Sequence, residues 1–419
     1  MVAGMSPSDG TFESARHHER TEFQLTKEKS ESRRALRRRS HPGFGVGVRA
    51  LALLFGVVLV VAACSSDSKT ASTNSSASPG ASAGIAKAQA FVAANSDYPT
   101  KISVTDPVPA KPPTGLTIAF IQLPQTGSLD FGAGIKAAAD VLGWTVDVIE
   151  TQPTPEAVAS AMTVAVEKHP DVVISGAAFA VSTFPEQVAQ LQAAGIPFIT
   201  ANTQDPLGNG VTANIGSGAD FTRKGQWLAN WIAADSGGNA DIAVFNLSTF
   251  PVLNLLVDGI KSTLADVCPG CKVAVNDVLA SSISTTLPGE IVSNLQAHPS
   301  VNYVVTAFGD MTLGLPAAMQ AAGLTSKVKV VTQHASKANL QDIKDGTEAM
   351  NVPEAGFEAG WMMVDAAVRA LQKAPIPEEQ YATTQGNYIT KANVDTVTGE
   401  HYIAVKDHAA QFSKLWKVS

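Results

Sequence analysis

Two textures of apolar residues alternate along residues 115–419. Short runs that are apolar on both faces are followed by stretches of about a dozen residues with apolar positions at helical spacing. The runs Leu116–Ile121, Val146–Ile149, Val172–Ser175, Pro197–Thr200 and Val211–Ile215 read as strands. Between them, Leu129–Leu142, Pro155–Glu167 and Thr183–Ala194 read as helices. Thr154 and Pro155 are a capping residue and a first-turn proline for the second of these, and Gly143 and Gly195 stop the other two. The alternation then restarts. Helices Phe221–Ala234, Val252–Asp266, Pro288–Ala297, Thr312–Ala322 and Lys337–Lys344 lead to strands Ile242–Phe245, Val273–Val278, Tyr303–Thr306, Val328–Val331 and Ala349–Val352. Helix Phe357–Gln372 and a short tail close the chain. Doubly apolar strands separated by helices imply parallel sheets covered on both sides. Two such sets in 419 residues imply an α/β protein of two doubly wound lobes, with a ligand cleft where the carboxyl ends of their strands face each other.

The first 63 residues differ in texture and charge. They hold 10 Lys and Arg against 6 Asp and Glu, leaving 20 against 31 in the rest of a chain of net charge −7. An acidic body offers no footprint for nucleic acid. Arg33, Arg34, Arg37, Arg38, Arg39 and Arg49 precede the apolar run 50–63. That run is too short for a membrane span of about 20 residues and suits a signal peptide. Its end, Leu59-Val60-Val61-Ala62-Ala63-Cys64, looks like a bacterial lipobox. The resemblance implies cleavage before Cys64, lipidation of Cys64 and a place on the outer face of the cytoplasmic membrane, held there through the lipid alone. Residues 64–114 read as a Ser/Ala-rich tether, with a helical stretch at Ile85–Ala94 and a proline-rich, irregular lead-in.

Several segments in the body, in order, resemble the type I periplasmic binding proteins of the ribose and galactose group, the receptors of ABC sugar importers. They are Thr117-Ile118-Ala119-Phe120, Ala139-Asp140-Val141-Leu142-Gly143-Trp144, Ala194-Gly195-Ile196-Pro197-Phe198-Ile199-Thr200, Ala297-His298-Pro299-Ser300-Val301 and Gly309-Asp310-Met311-Thr312-Leu313-Gly314. The resemblance spans about Leu116 to Leu371 and implies a three-strand hinge crossing near Ser217, Pro353 and Thr384. The lobes would then be 115–217 with 354–384, and 218–353 with 385–419. It further implies a ligand set of Gln122, Gln125, Ser128, Ser175, Asn202, Thr203, Ser217, Asn254, Phe308, His334 and Glu354. Sugar receptors of this group usually place Asp and Arg where Asn202, Thr203, Asn254 and His334 stand. The aromatic pair that usually follows the first strand is Gly127-Ser128. A nearly neutral pocket of amides and hydroxyls results, suited to a small neutral polar ligand such as a sugar or polyol. Phe179 and Phe250 are substitute stacking candidates.

Two motifs compete with this reading. Gly132-Ala133-Gly134-Ile135-Lys136-Ala137 matches a dinucleotide fingerprint, with Glu150 following at the end of the second strand. That site needs its first glycine immediately after the strand, and nine residues separate Gly132 from Gln122. Cys268-Pro269-Gly270-Cys271 matches a redox motif but follows a helix, whereas the redox chemistry wants its cysteines at a helix N-terminus. With Cys64 assigned to lipid, the remaining two cysteines form one pair, read as a local structural disulfide in an oxidising compartment. No metal-ligand spacing, cofactor motif or catalytic constellation is evident. The expected role is the monomeric binding component of an ABC importer, working with permease subunits. The alternatives are a sensor of the same fold that feeds a membrane signalling protein, and an exported α/β enzyme.

Overall fold

Two parallel sheets organise the chain in the computed structural model, which describes residues 79–283 and 285–419. The signal-like run and Cys64 lie outside the described residues. After helix α1 (Pro79–Ala94), the first set comprises β1 (Thr117–Gln122), α2 (Thr126–Leu142), β2 (Thr145–Glu150), α3 (Pro155–Glu167), β3 (Val172–Ser175), α4 (Pro185–Ala194), β4 (Phe198–Ala201) and β5 (Ala213–Ile215). The second comprises α5 (Gly218–Ser236), β6 (Asp241–Asn246), α6 (Pro251–Val267), β7 (Lys272–Asp277), α7 (Leu287–Ala297), β8 (Tyr303–Thr306), α8 (Leu315–Ala321), β9 (Lys329–Gln333), α9 (Lys337–Asp345) and β10 (Met350–Val352). Helices α10 (Gly356–Leu371) and α11 (Glu378–Tyr381), strand β11 (Ile389–Thr390) and helix α12 (His408–Leu415) follow.

The sheet orders are β2-β1-β3-β4-β5 and β11-β10-β9-β8-β6-β7. Apart from the antiparallel β11, the second order repeats the first. Each order reverses beside its first strand, between β1 and β3 and between β6 and β8, and the crevice at such a point is where open α/β sheets hold ligands. Central strands β3, β4 and β8 are buried along their whole length, while edge strand β2 exposes Thr145, Val148 and Glu150.

Local chemistry sets the element ends. Thr154 Oγ1 accepts from Ala157 N at the start of α3, and Gly143 and Gly195 end α2 and α4 in the left-handed conformation at φ 69° and 68°. Two expected helices are broken. Thr183–Ala194 begins as a 3-10 turn, Val181–Thr183, because Phe184 before Pro185 stays out of the helical region. Thr312–Ala322 separates into a 3-10 turn, Gly309–Thr312, and α8, with Gly314 at φ 78° between them.

The lead-in and the tail carry more structure than their composition suggests. Ile102, Val104 and Val108 join Phe412 and Trp416 of the tail in the core beneath β1. The tail, expected to complete the second lobe as 385–419, therefore divides: β11 joins the second sheet, and α12 packs on the first lobe. Asp365 of α10 ties it down, accepting from Trp416 Nε1 at 2.7 Å, from Tyr381 OH at 2.5 Å and from Arg369 Nε at 2.7 Å. Helix α1 lays Ala88 into the core of the second lobe, with Phe91 edge-on to Trp227.

Candidate functional site between the lobes

A cavity of about 100 Å³ lies between the sheets. The first lobe contributes the loop after β1 and the start of α2 (Leu123, Gln125, Gly127, Ser128, Phe131), the loop after β3 (Gly176, Ala178) and Asn202 after β4. The second lobe contributes Phe221, Phe250, Val252, Leu253, Phe308, Asp310, Gln333 and His334. Every polar member sits at a strand's carboxyl end or a helix start. Ala178, Asn202 and His334 have left-handed backbones, at φ 54°, 56° and 63°, a conformation rare outside glycine and frequent at functional sites.

Four buried polar atoms of the lining have no protein partner: Gln125 Oε1, Asn202 Oδ1, Gln333 Oε1 and His334 Nε2. Gln333 Nε2 donates to Ala307 O at 2.6 Å, leaving Oε1 as an acceptor. Buried polar groups are nearly always paired, each orphan costing about 1–3 kcal/mol. Four of the twelve such atoms among the described residues belong to residues lining this cavity.

Beneath the cavity lies a buried charge network. His334 Nδ1 is 2.8 Å from Glu354 Oε2, Lys224 Nζ is 3.4 Å from the same oxygen and 3.0 Å from Asp220 Oδ2, and Arg223 Nη2 is 2.7 Å from Asp220 Oδ1. Burial favours the neutral acid in Glu354, but Lys224 and His334 outweigh it and hold the carboxyl well below its usual range. Burial likewise works against the His334 imidazolium, and the Glu354 carboxylate overrides it, raising the pKa. Asp220 also receives Thr384 N at 3.2 Å and Thr384 Oγ1 at 3.0 Å, and Gly216 N and Ser217 N donate to Tyr381 O and Ala382 O. Residues near two of the expected crossings are thus bonded side by side.

The expected ligand residues fall into three groups. Gln125, Ser128, Asn202, Phe308 and His334 line the cavity, although Ser128 Oγ also accepts from Leu123 N at 2.9 Å. Glu354 lies one layer below, against His334. Gln122, Ser175, Thr203, Ser217 and Asn254 do not line it. Gln122 opens into a separate depression beside Glu150. Ser175 and Thr203 accept from Ala177 N and Asp205 N in their own turns, and Ser217 caps α5. Asn254 is exposed and accepts from Asn246. Of the two stacking candidates, Phe250 lines the cavity and Phe179 packs behind it at 5.3 Å. Phe131, Phe221, Asp310, Gln333, Lys224 and Asp220 were not anticipated. Lys224 and Asp220, four apart on a helix, carry the pattern of an ordinary surface pair. The adjacency of Gln333 to His334 was the only available signal for that residue. The Gly132–Ala137 motif lies within α2, where Gly134 meets the Phe357 backbone, as helix packing requires. The Cys268 and Cys271 sulfurs stand 1.95 Å apart, within bonding distance.

Comparison with known proteins agrees with this architecture. The periplasmic binding protein domain matches residues 113–375. The chain belongs to that family. Among solved structures it is similar to a glucose-galactose binding protein from Geobacillus stearothermophilus (18% identity, TM-score 0.60, covering 67% of this chain and 98% of that one). It is also similar to an ABC transporter solute-binding protein from Mycobacterium smegmatis with bound glycerol (19%, 0.59, 70% and 100%) and to one from Agrobacterium vitis bound with α-D-tagatopyranose (23%, 0.57, 67% and 96%). A comparison with curated proteins gave no match.

Proposed function

We propose that this chain is the extracytoplasmic solute-binding lipoprotein of an ABC importer, and that its lobes close on a small neutral polar ligand, a sugar or polyol. The observation that carries this reading is the set of four orphaned polar atoms around the interlobe cavity, with phenylalanines between them. Amide oxygens accept from hydroxyls, the His334 ring donates to a ligand oxygen, and the aromatic faces cover C–H surfaces. Proteins of the same fold solved with glycerol, α-D-tagatopyranose or D-arabinose support the ligand class. Lipidation at Cys64 would anchor the body to the membrane, and no helix of the described residues is long and apolar enough to cross one. A Cys268–Cys271 disulfide accords with export. The permease would be the partner of the closed form.

A thermal-shift panel of neutral hexoses, pentoses and polyols against amino acids and organic acids tests the ligand class. A ligand that binds only the native state raises its stability, by about 2.7 kcal/mol at a hundred times Kd. A raised Tm with at least one neutral polyhydroxy compound is expected. A shift with charged compounds alone would overturn the neutral-ligand reading.

A further inference from the structure

Helix α2 begins without any of the usual devices. Its preceding residue, Gln125, makes no side-chain cap, and its first turn holds no acidic residue and no proline. The cap comes from the other lobe. Asp310, in the turn after β8, accepts from Thr126 Oγ1 at 2.7 Å and from Thr126 N at 3.1 Å. A carboxylate at this end of a 17-residue helix meets unsatisfied N–H groups and the positive end of the helix dipole. Each carboxylate oxygen already accepts one hydrogen bond from Thr126, so the charge of Asp310, though it faces the cavity, is directed at the helix end.

The turn that carries Asp310 is itself held to the site. Gly309 N donates to His334 O at 3.2 Å, and a Cβ on Gly309 would meet that oxygen at 2.4 Å. On the opposite lobe, Gly127 follows Thr126 so closely against the His334 ring that an added Cβ would lie 2.1 Å from Cε1. The Thr126-Gly127 step of one lobe therefore fits between Asp310 and His334 of the other, a fit available only when the lobes are together.

We propose that Asp310 is a closure latch: by capping α2 across the cleft it stabilises the closed arrangement, as a positioning residue that sets ligand affinity through lobe closure and not through contact with the ligand. This rests on the hinge-closing reading above. Its test needs no ligand, so the two can fail separately. Nitroxides attached at Lys136→Cys on α2 and Lys327→Cys before β9, in the full chain carrying Cys64→Ser, report the distance between lobes by pulsed electron paramagnetic resonance. With Asp310 intact the ligand-free distribution should include a short-distance population. Asp310→Ala should move the distribution to longer distances, and Asp310→Asn, which keeps an acceptor but loses the charge, should move it less. Gly127→Ala, which leaves Asp310 untouched but blocks the same fit, should also lengthen it, while Asp258→Ala on the exposed face of α6 should not. Identical distributions for the intact chain and Asp310→Ala, or an equal shift with Asp258→Ala, would overturn the latch.

Discussion

His334 carries the most unusual chemistry at the scale of single residues. One ring nitrogen is tied to Glu354 and the other faces the cavity without a partner. Besides Glu354, Lys224 and Asp130 act on the ring, the first lowering and the second raising its pKa. Because the folded pKa is raised above its reference of 6.5, the contribution of the imidazolium is fully present below that pH. It is lost as pH rises through the raised value. Replacing Glu354 with Gln removes the dominant attraction and leaves desolvation and Lys224 against the smaller pull of Asp130, so the His334 pKa should fall. Nuclear magnetic resonance of the imidazole across pH 5–9 reads this directly, and an unmoved titration would show that Glu354 does not govern the ring. The left-handed backbone of Asn202 matters in the same way. Alanine there would add strain of roughly 1–2 kcal/mol, whereas glycine adopts φ 56° freely, so Asn202→Gly is the substitution that isolates the amide.

Among the elements, the central strands were legible in the sequence, because a strand buried on both faces must be apolar throughout. Val172–Ser175 and Tyr303–Thr306 have the bounds that their apolar runs indicate. Helix Pro155–Glu167 was equally plain, since its cap and first-turn proline are local signals. The early start of α2 was hidden, because its cap arrives from another lobe. The tail was hidden for a related reason: its helix is short and held by long-range contacts to Asp365 and Glu358. Glu358 on α10 accepts from Val405 N at 2.7 Å, and burial pushes its pKa up to about 8 from 4.5. A raised folded pKa in an acid means that the folded state favours the proton. The associated stability is present below about pH 4.5 and is lost as pH rises through 8. Glu358→Gln should flatten that part of the stability-pH curve and raise Tm at pH 8 relative to the unsubstituted chain. Parallel thermal melts at pH 5 and 8 check it, and an unchanged slope would place the titration elsewhere.

For the molecule as a whole, the two-lobed architecture followed from a pattern that stops and restarts, and the location of the cleft followed from where parallel sheets leave their strand ends. The site was only partly legible. Of the expected ligand residues, Gln125, Ser128, Asn202, Phe308 and His334 line the cavity. Ser175, Thr203 and Ser217 accept from backbone N–H groups two residues on, Asn254 accepts from Asn246, and Gln122 opens into a separate depression. The charge network of Asp220, Lys224 and Glu354 joins residues up to 134 positions apart, so its members look like unrelated surface charges until the chain crosses between lobes. Below the cavity the two carboxylates, Asp220 and Glu354, are met by Arg223, Lys224 and His334, so each buried carboxylate has a cationic partner within the protein.

Calorimetric titration of the full chain and of Asn202→Gly, with the neutral sugar or polyol that gives the largest thermal shift, tests the central claim most directly. Loss of one neutral hydrogen bond is worth about 0.5–1.5 kcal/mol, so one ligand per chain and an affinity roughly threefold to tenfold weaker in the variant are expected. Equal affinity in both proteins, or binding confined to charged compounds, would contradict it.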